Sequence, residues 1–115
     1  MRFQNLPQPN KENKLGETSW LTNETVLKAL LNKHMSPKGK VGLILVKEGT
    51  VDFIWEDTPN DIINADKDHP IVIEPERYHH VIVTGSVIFK VEFYQDKASN
   101  KYDESAVRPG EDFIK

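Results

Sequence analysis

Val41-Gly42-Leu43-Ile44-Leu45-Val46, halted by Lys47-Glu48-Gly49-Thr50 and taken up again as Val51-Asp52-Phe53-Ile54-Trp55, is where the fold class of this 115-residue chain can be read. A short, continuous, branched apolar run bounded by turn formers predicts a strand buried on both faces. Gly49 can supply a positive φ, so the interruption reads as a hairpin turn and residues 51–55 as the returning strand. Towards the C-terminus, Ile71-Val72-Ile73 lies between Pro70 and Pro75 and is short for that reason. Beyond the turn Glu74-Pro75-Glu76-Arg77, a strand is expected from His79 to Thr84, then a tight turn at Gly85-Ser86 and a last strand from Val87 to Tyr94. The polar segment from Glu56 to Asp68 reads as a connection. Towards the N-terminus, past Ser36-Pro37-Lys38-Gly39, two readings compete. Thr22-Asn23-Glu24-Thr25 starts a helix whose face would carry Val26, Leu27, Leu30 and Leu31, while Leu30-Leu31-Asn32-Lys33-His34 suits a strand equally well. Short hairpin-linked strands predict an all-β, antiparallel sandwich or barrel forming a single domain over 18–96. An extended arm at 1–17 precedes it and a polar tail at 97–115 follows.

Composition narrows the function. Fifteen Lys and Arg against 18 Asp and Glu leave a net charge of -3, which argues against nucleic acid as a partner. The absence of cysteine excludes disulfides, thiolate nucleophiles and finger-type zinc sites, so any metal would have to use histidine and carboxylate. No apolar run approaches membrane-spanning length and the first residues lack a signal-peptide core, so no membrane is expected and the cytoplasm is the default location. There is no phosphate-cradling glycine loop, no Gly-x-Ser-x-Gly elbow and no HExxH, and no catalytic residue is assigned.

The residues that could carry chemistry are His34, His79, His80 and Glu92. Neighbouring strand residues face opposite ways, so His79 and His80 cannot both point inward, and the parity shared with Val81 and Val83 favours His79. Glu92 stands between Val91 and Phe93, where a buried carboxylate needs a cation or several donors. Imidazoles with a carboxylate suit a divalent first-row metal. Against this, strand histidines more often serve packing or hydrogen bonding, and Glu92 shares its parity with Lys90 and so could face solvent. His69 before Pro70 reads as a turn residue.

Four blocks then carry a resemblance: Leu30-Leu31-Asn32-Lys33-His34, Val46-Lys47-Glu48-Gly49, Glu74-Pro75-Glu76-Arg77-Tyr78-His79-His80-Val81 and Phe89-Lys90-Val91-Glu92-Phe93-Tyr94. In their order and spacing the chain resembles the small cupin domain of the tellurite-resistance protein B family and the YeaR-like small cupins. The resemblance implies a double-stranded β-helix, the cupin jelly roll, around a pocket. It implies His34, His79 and Glu92 as ligands of a divalent cation (zinc, iron or nickel), with His80 as the substitute if the register slips. The pocket would be lined by Phe53, Trp55, Phe89 and His80 and would receive a small molecule or oxyanion. Where the wider superfamily has a second histidine this chain has Ser36, and the following glutamate falls near Gly42, so a four-ligand dioxygenase centre is not expected. Some relatives append a methyltransferase domain, for which a chain ending at Lys115 leaves no room. The expectation is a free-standing binding cupin linked to tellurite resistance, with a metal-free homodimeric binding or interaction module as the alternative.

Overall fold

The computed structural model describes residues 2–26 and 31–96. After a 3-10 turn at Lys11–Asn13, nine strands follow in order: β1 (Lys14–Glu17), β2 (Leu21–Thr22), β3 (His34–Met35), β4 (Lys40–Glu48), β5 (Val51–Trp55), β6 (Ile62–Ala65), β7 (Ile71–Ile73), β8 (Tyr78–Ile82) and β9 (Ile88–Gln95). They form two antiparallel sheets. One has the order β1-β9-β4-β7, with β2 also paired to β9; the other has the order β3-β8-β5-β6. The described part is thus all-β, as expected.

Hydrophobic alternation sets the layers. On β4, Ile44 and Val46 point between the sheets and meet Phe53, Ile71, Val81, Phe89 and Val91. Leu43 points the other way, into a small outer cluster with Val72 and Tyr94. Both faces of β4 are therefore covered, which is what its unbroken apolar run required. Gly49 has φ 81°, and a Cβ there would come within 2.4 Å of the Ser86 carbonyl oxygen, so the hairpin turn needs glycine twice over.

The segment read as a polar connection holds a strand. Ile62-Ile63-Asn64-Ala65 pairs with β5 and buries only Ile63 and Ala65, too few apolar residues to stand out amid polar flanks. Of the N-terminal ambiguity, 27–30 lies outside the described residues; Leu31 is helical, Asn32 and Lys33 form a bend, and a strand begins only at His34, as His34–Met35, so of the strand expected over 30–34 only His34 is extended. Thr22 closes a turn there, its Oγ1 accepting from the Thr25 amide at 3.2 Å. The N-terminal stretch lies along both open sides of the sandwich. Residues 14–17 run beside β9, whereas Arg2, Phe3 and Gln4 reach the opposite flank. There the Asn64 amide donates to the Arg2 carbonyl at 2.7 Å. The Gln4 side-chain amide accepts from the Val72 amide at 2.6 Å and donates to its carbonyl at 2.9 Å. Phe3 stacks on His69 at 3.6 Å, and His69 bonds Asp66 at 2.7 Å within its turn.

Candidate functional site

The pairing of β3 with β8 sets His34 directly opposite His79, because the two are register partners. Their rings meet edge to face with centroids 5.5 Å apart. His79 also stacks on Phe53 at 5.1 Å and meets the edge of Trp55 at 5.7 Å, and only 1% of it is exposed. The inward parity expected for His79 is the one observed. Its Nδ1 lies 3.2 Å from the Arg77 carbonyl oxygen. A carbonyl only accepts, so Nδ1 carries the proton and Nε2 of the neutral ring presents its lone pair. Burial pushes the His79 pKa down to about 4, although the Arg77 carbonyl works in the other direction. Burial lowers the His34 pKa as well, and Nε2 of His34 is shut off from solvent.

Glu92 is not brought to this pair. Phe89 and Val91 occupy the inward side of β9, while Glu92 shares the outward side with Tyr94, opposite Leu43. Its carboxylate is satisfied there: the Tyr94 hydroxyl donates at 2.6 Å, with Lys14 at 3.0 Å and Lys90 at 3.3 Å. Burial pushes the Glu92 pKa up, but those hydrogen bonds together outweigh it and hold the group below its ordinary value. Burial and Glu92 in turn raise the Tyr94 pKa to about 12. His80 also faces outward, its Nδ1 2.5 Å from Glu56. Phe53 and Phe89 are fully buried in the inter-sheet core, so of the expected pocket residues Phe53 and Trp55 are the ones touching the histidine pair. Among the described residues no three of His, Cys, Asp and Glu gather closely enough to hold a metal ion. A three-residue centre of His34, His79 and Glu92 therefore does not fit this arrangement; two imidazoles are what converge.

Three further residues at this end of the sandwich have no site role in the reading of the sequence. Arg77 lays its guanidinium 4.1 Å above the Trp55 ring and bonds Asp57 at 2.8 Å and Glu74 at 3.0 Å. A cleft of about 320 Å³ opens beside Trp55, lined by Arg2, Gln4, Ile63 and Arg77 among others. Ser36 is buried and its Oγ donates to the Lys40 carbonyl at 2.8 Å, tying the β3–β4 turn. Lys40 itself is 2% exposed at the head of β4. The signal that could have found Lys40 is its parity with Gly42, Ile44 and Val46.

The sequence matches no curated protein. Among solved structures, a protein from Escherichia coli K12 superposes with a TM-score of 0.68 at 16% identity, covering 77% of this chain and 96% of its own. TehB from Haemophilus influenzae superposes with a TM-score of 0.66 at 15% identity, covering 89% of this chain and 41% of that one. At such identities the likeness shows a shared fold. No helix among the described residues is long and apolar enough to cross a membrane. The family model of the TehB-like domain matches residues 17–98, a span that holds β2 to β9 and both converging histidines. The chain belongs to the TehB-like domain family, which links it to tellurite resistance.

Proposed function

We propose that this domain is a small-molecule-binding module of the tellurite-resistance kind, built on a cupin jelly roll, which receives a small anionic ligand, foremost an oxyanion, at the His34–His79 pair. The observation carrying this reading is the buried, in-register pair itself, with the His79 tautomer fixed so that Nε2 can accept a hydrogen bond. Phe53 and Trp55 wall the pair with aromatic surface, which limits the space to a compact ligand and keeps water from competing. A cytoplasmic location and the pairing of two copies belong to the same proposal; Ile62, Tyr78 and Ile82 lie exposed on the outer face of the β3-β8-β5-β6 sheet, where a second copy could pack.

A second reading keeps the divalent cation. Metal-bound histidines characteristically donate their other N–H to a carbonyl or carboxylate, as His79 does to Arg77. Two imidazoles could anchor zinc, iron or nickel, with water and the anion completing the shell.

Calorimetric titration of tellurite into untagged, chelator-treated protein separates the readings. Binding that His79→Phe and His34→Ala each weaken at least tenfold supports the imidazole pocket. Binding that appears only after zinc, iron or nickel is restored supports the cation. Binding indifferent to both substitutions overturns the assignment of the pair, as does no binding under either condition.

A further inference from the structure

A neutral imidazole pair supplies no positive charge, so a pocket for an anion needs its cation from elsewhere. Lys40, Gly42, Ile44 and Val46 share one side of β4, and Ile44 and Val46 on that side enter the inter-sheet core, while the register of β4 against β9 stays unshifted from Lys40 to Val46. Lys40 therefore points between the sheets, and 2% of it is exposed. Four other cations, Arg2, Lys14, Arg77 and Lys90, each meet a carboxylate, and Lys33 and Lys47 lie over aromatic rings. The Lys40 ammonium has no ion pair or side-chain hydrogen bond with another described residue. The stem of Lys40 is thus buried, while its ammonium is not among the described polar atoms sealed from solvent without a partner, so an anion from outside can reach a cation that no described carboxylate meets.

Its position says where that partner sits. Gly42 pairs with Ile73, which puts the head of β4 beside the end of β7. From there the chain passes through Glu74–Arg77 directly into β8 and His79. Ser36 bridges to Pro75, and the Glu76 amide donates to the Ser36 carbonyl at 2.7 Å, so the turn carrying Lys40 is tied to the turn that leads into His79. Lys40 on one sheet and the two histidines on the other thus occupy the same end of the interior. Gly42, next to Lys40 on that side, is covered by the Ile73 side chain, whose Cδ1 would lie 3.0 Å from a Cβ there, so Ile73 bounds this end of the interior on the β7 side.

We propose that Lys40 is the anion-binding residue of this pocket and that its ligand is a compact oxyanion still bearing a hydroxyl, the charged oxygen meeting the ammonium and the hydroxyl donating to Nε2 of His79. The assignment rests on the reading that the anion enters at the histidine pair. An anion with no hydroxyl lacks the donor that the neutral imidazole requires, so sulfate should bind less well than a hydrogen-bearing anion of the same size.

The test compares wild type, Lys40→Met, Lys40→Arg and His79→Phe by thermal shift and calorimetry at pH 6 and constant ionic strength, with tellurite, inorganic phosphate and sulfate as probes. Without added anion, Lys40→Met is expected to melt at or above the wild-type temperature, because it keeps the buried apolar stem and removes only a charge that no described carboxylate meets. Tellurite and phosphate are expected to stabilise the wild type more than sulfate does, to bind Lys40→Met at least tenfold more weakly, and to bind Lys40→Arg within a few-fold of wild type. Loss of binding in His79→Phe with none in Lys40→Met overturns the role of Lys40 and leaves the imidazole pocket standing. Binding that needs Lys40 and ignores His79 keeps an anion site but removes it from the histidine pair, and so overturns the hydroxyl assignment and the pocket reading. If no probe stabilises the wild type beyond Lys40→Met, or if Lys40→Met melts well below wild type, Lys40 is a packing residue and the inference is wrong.

Discussion

At the scale of single residues, burial of an imidazole makes a prediction with a sign. The folded protein holds the His79 pKa at about 4 against an ordinary 6.5, so between those values the unfolded chain takes up a proton that the folded one refuses. Stability is then complete above about pH 6.5 and falls as the pH drops towards 4, by roughly 3 kcal/mol for this group. Melting temperatures of metal-free protein measured from pH 4 to 7 should rise by about 10 °C or more. His79→Phe, which keeps an aromatic ring against Phe53 and removes the titration, should flatten that rise; an unchanged slope would show that other groups produce it. Glu92 calls for the opposite expectation. Its carboxylate gathers Tyr94, Lys14 and Lys90 on the outer face, so Glu92→Gln should destabilise by about 1–3 kcal/mol and leave anion affinity unchanged within twofold. A tenfold loss of ligand or metal affinity in Glu92→Gln would restore it to the site. The sequence pointed to Glu92 because a carboxylate between Val91 and Phe93 looks buried and needy. It is buried, at 8% exposure, but β9 is covered on both faces, and alternation cannot say which face is the pocket when both are apolar.

At the scale of elements, the hairpin of β4 and β5 was legible because its pattern is strong in each part: a continuous apolar run, a glycine that must take positive φ, and a returning strand. Gly49→Ala should therefore destabilise by about 1–3 kcal/mol, since the new Cβ meets both an unfavourable backbone conformation and the Ser86 carbonyl. Urea unfolding measures it, and a change below about 0.5 kcal/mol would mean that the turn relaxes freely. What was not legible were the strands that depend on neighbours. β6 buries two residues and presents Ile62 and Asn64 outward, and β1 has one partly buried residue among its four, so neither carries a periodic signal of its own. They are strands because β5 and β9 offer them unpaired backbone edges. The same reason hid Lys40, whose single charge precedes an apolar run and reads as its flank until the pairing with Gln95 places it inside the sheet.

At the scale of the whole molecule, two sheets packed face to face leave two open flanks, and the N-terminal stretch reaches both. On one flank β1 lies along β9 and lends Lys14 to Glu92. On the other, Arg2 and Gln4 bridge β6 of one sheet to β7 of the other, and Gln4 copies a strand's hydrogen bonding with its side-chain amide. That bridge also walls the cleft beside Trp55. The two contributions can be separated by length. Removing residues 1–13 deletes the bridge and keeps β1. The hydrogen bonds to Asn64 and Val72, each worth about 1 kcal/mol and offset in part by the ordering of the arm, should give a net loss of about 1–3 kcal/mol. Amide exchange at Val72 and Asn64 should quicken while Ile44 and Val91, at the centre of the β4–β9 pairing, keep their protection. Removing residues 1–17 also strips β1, exposes the long edge of β9 and leaves Glu92 without Lys14, so this shorter protein should self-associate as well as melt earlier. Equal behaviour of the two truncations in exchange and in sedimentation would mean that β1 adds nothing to the sheet it borders. The family match begins at residue 17, so residues 2–16 lie outside the matched span while closing the fold at both of its edges.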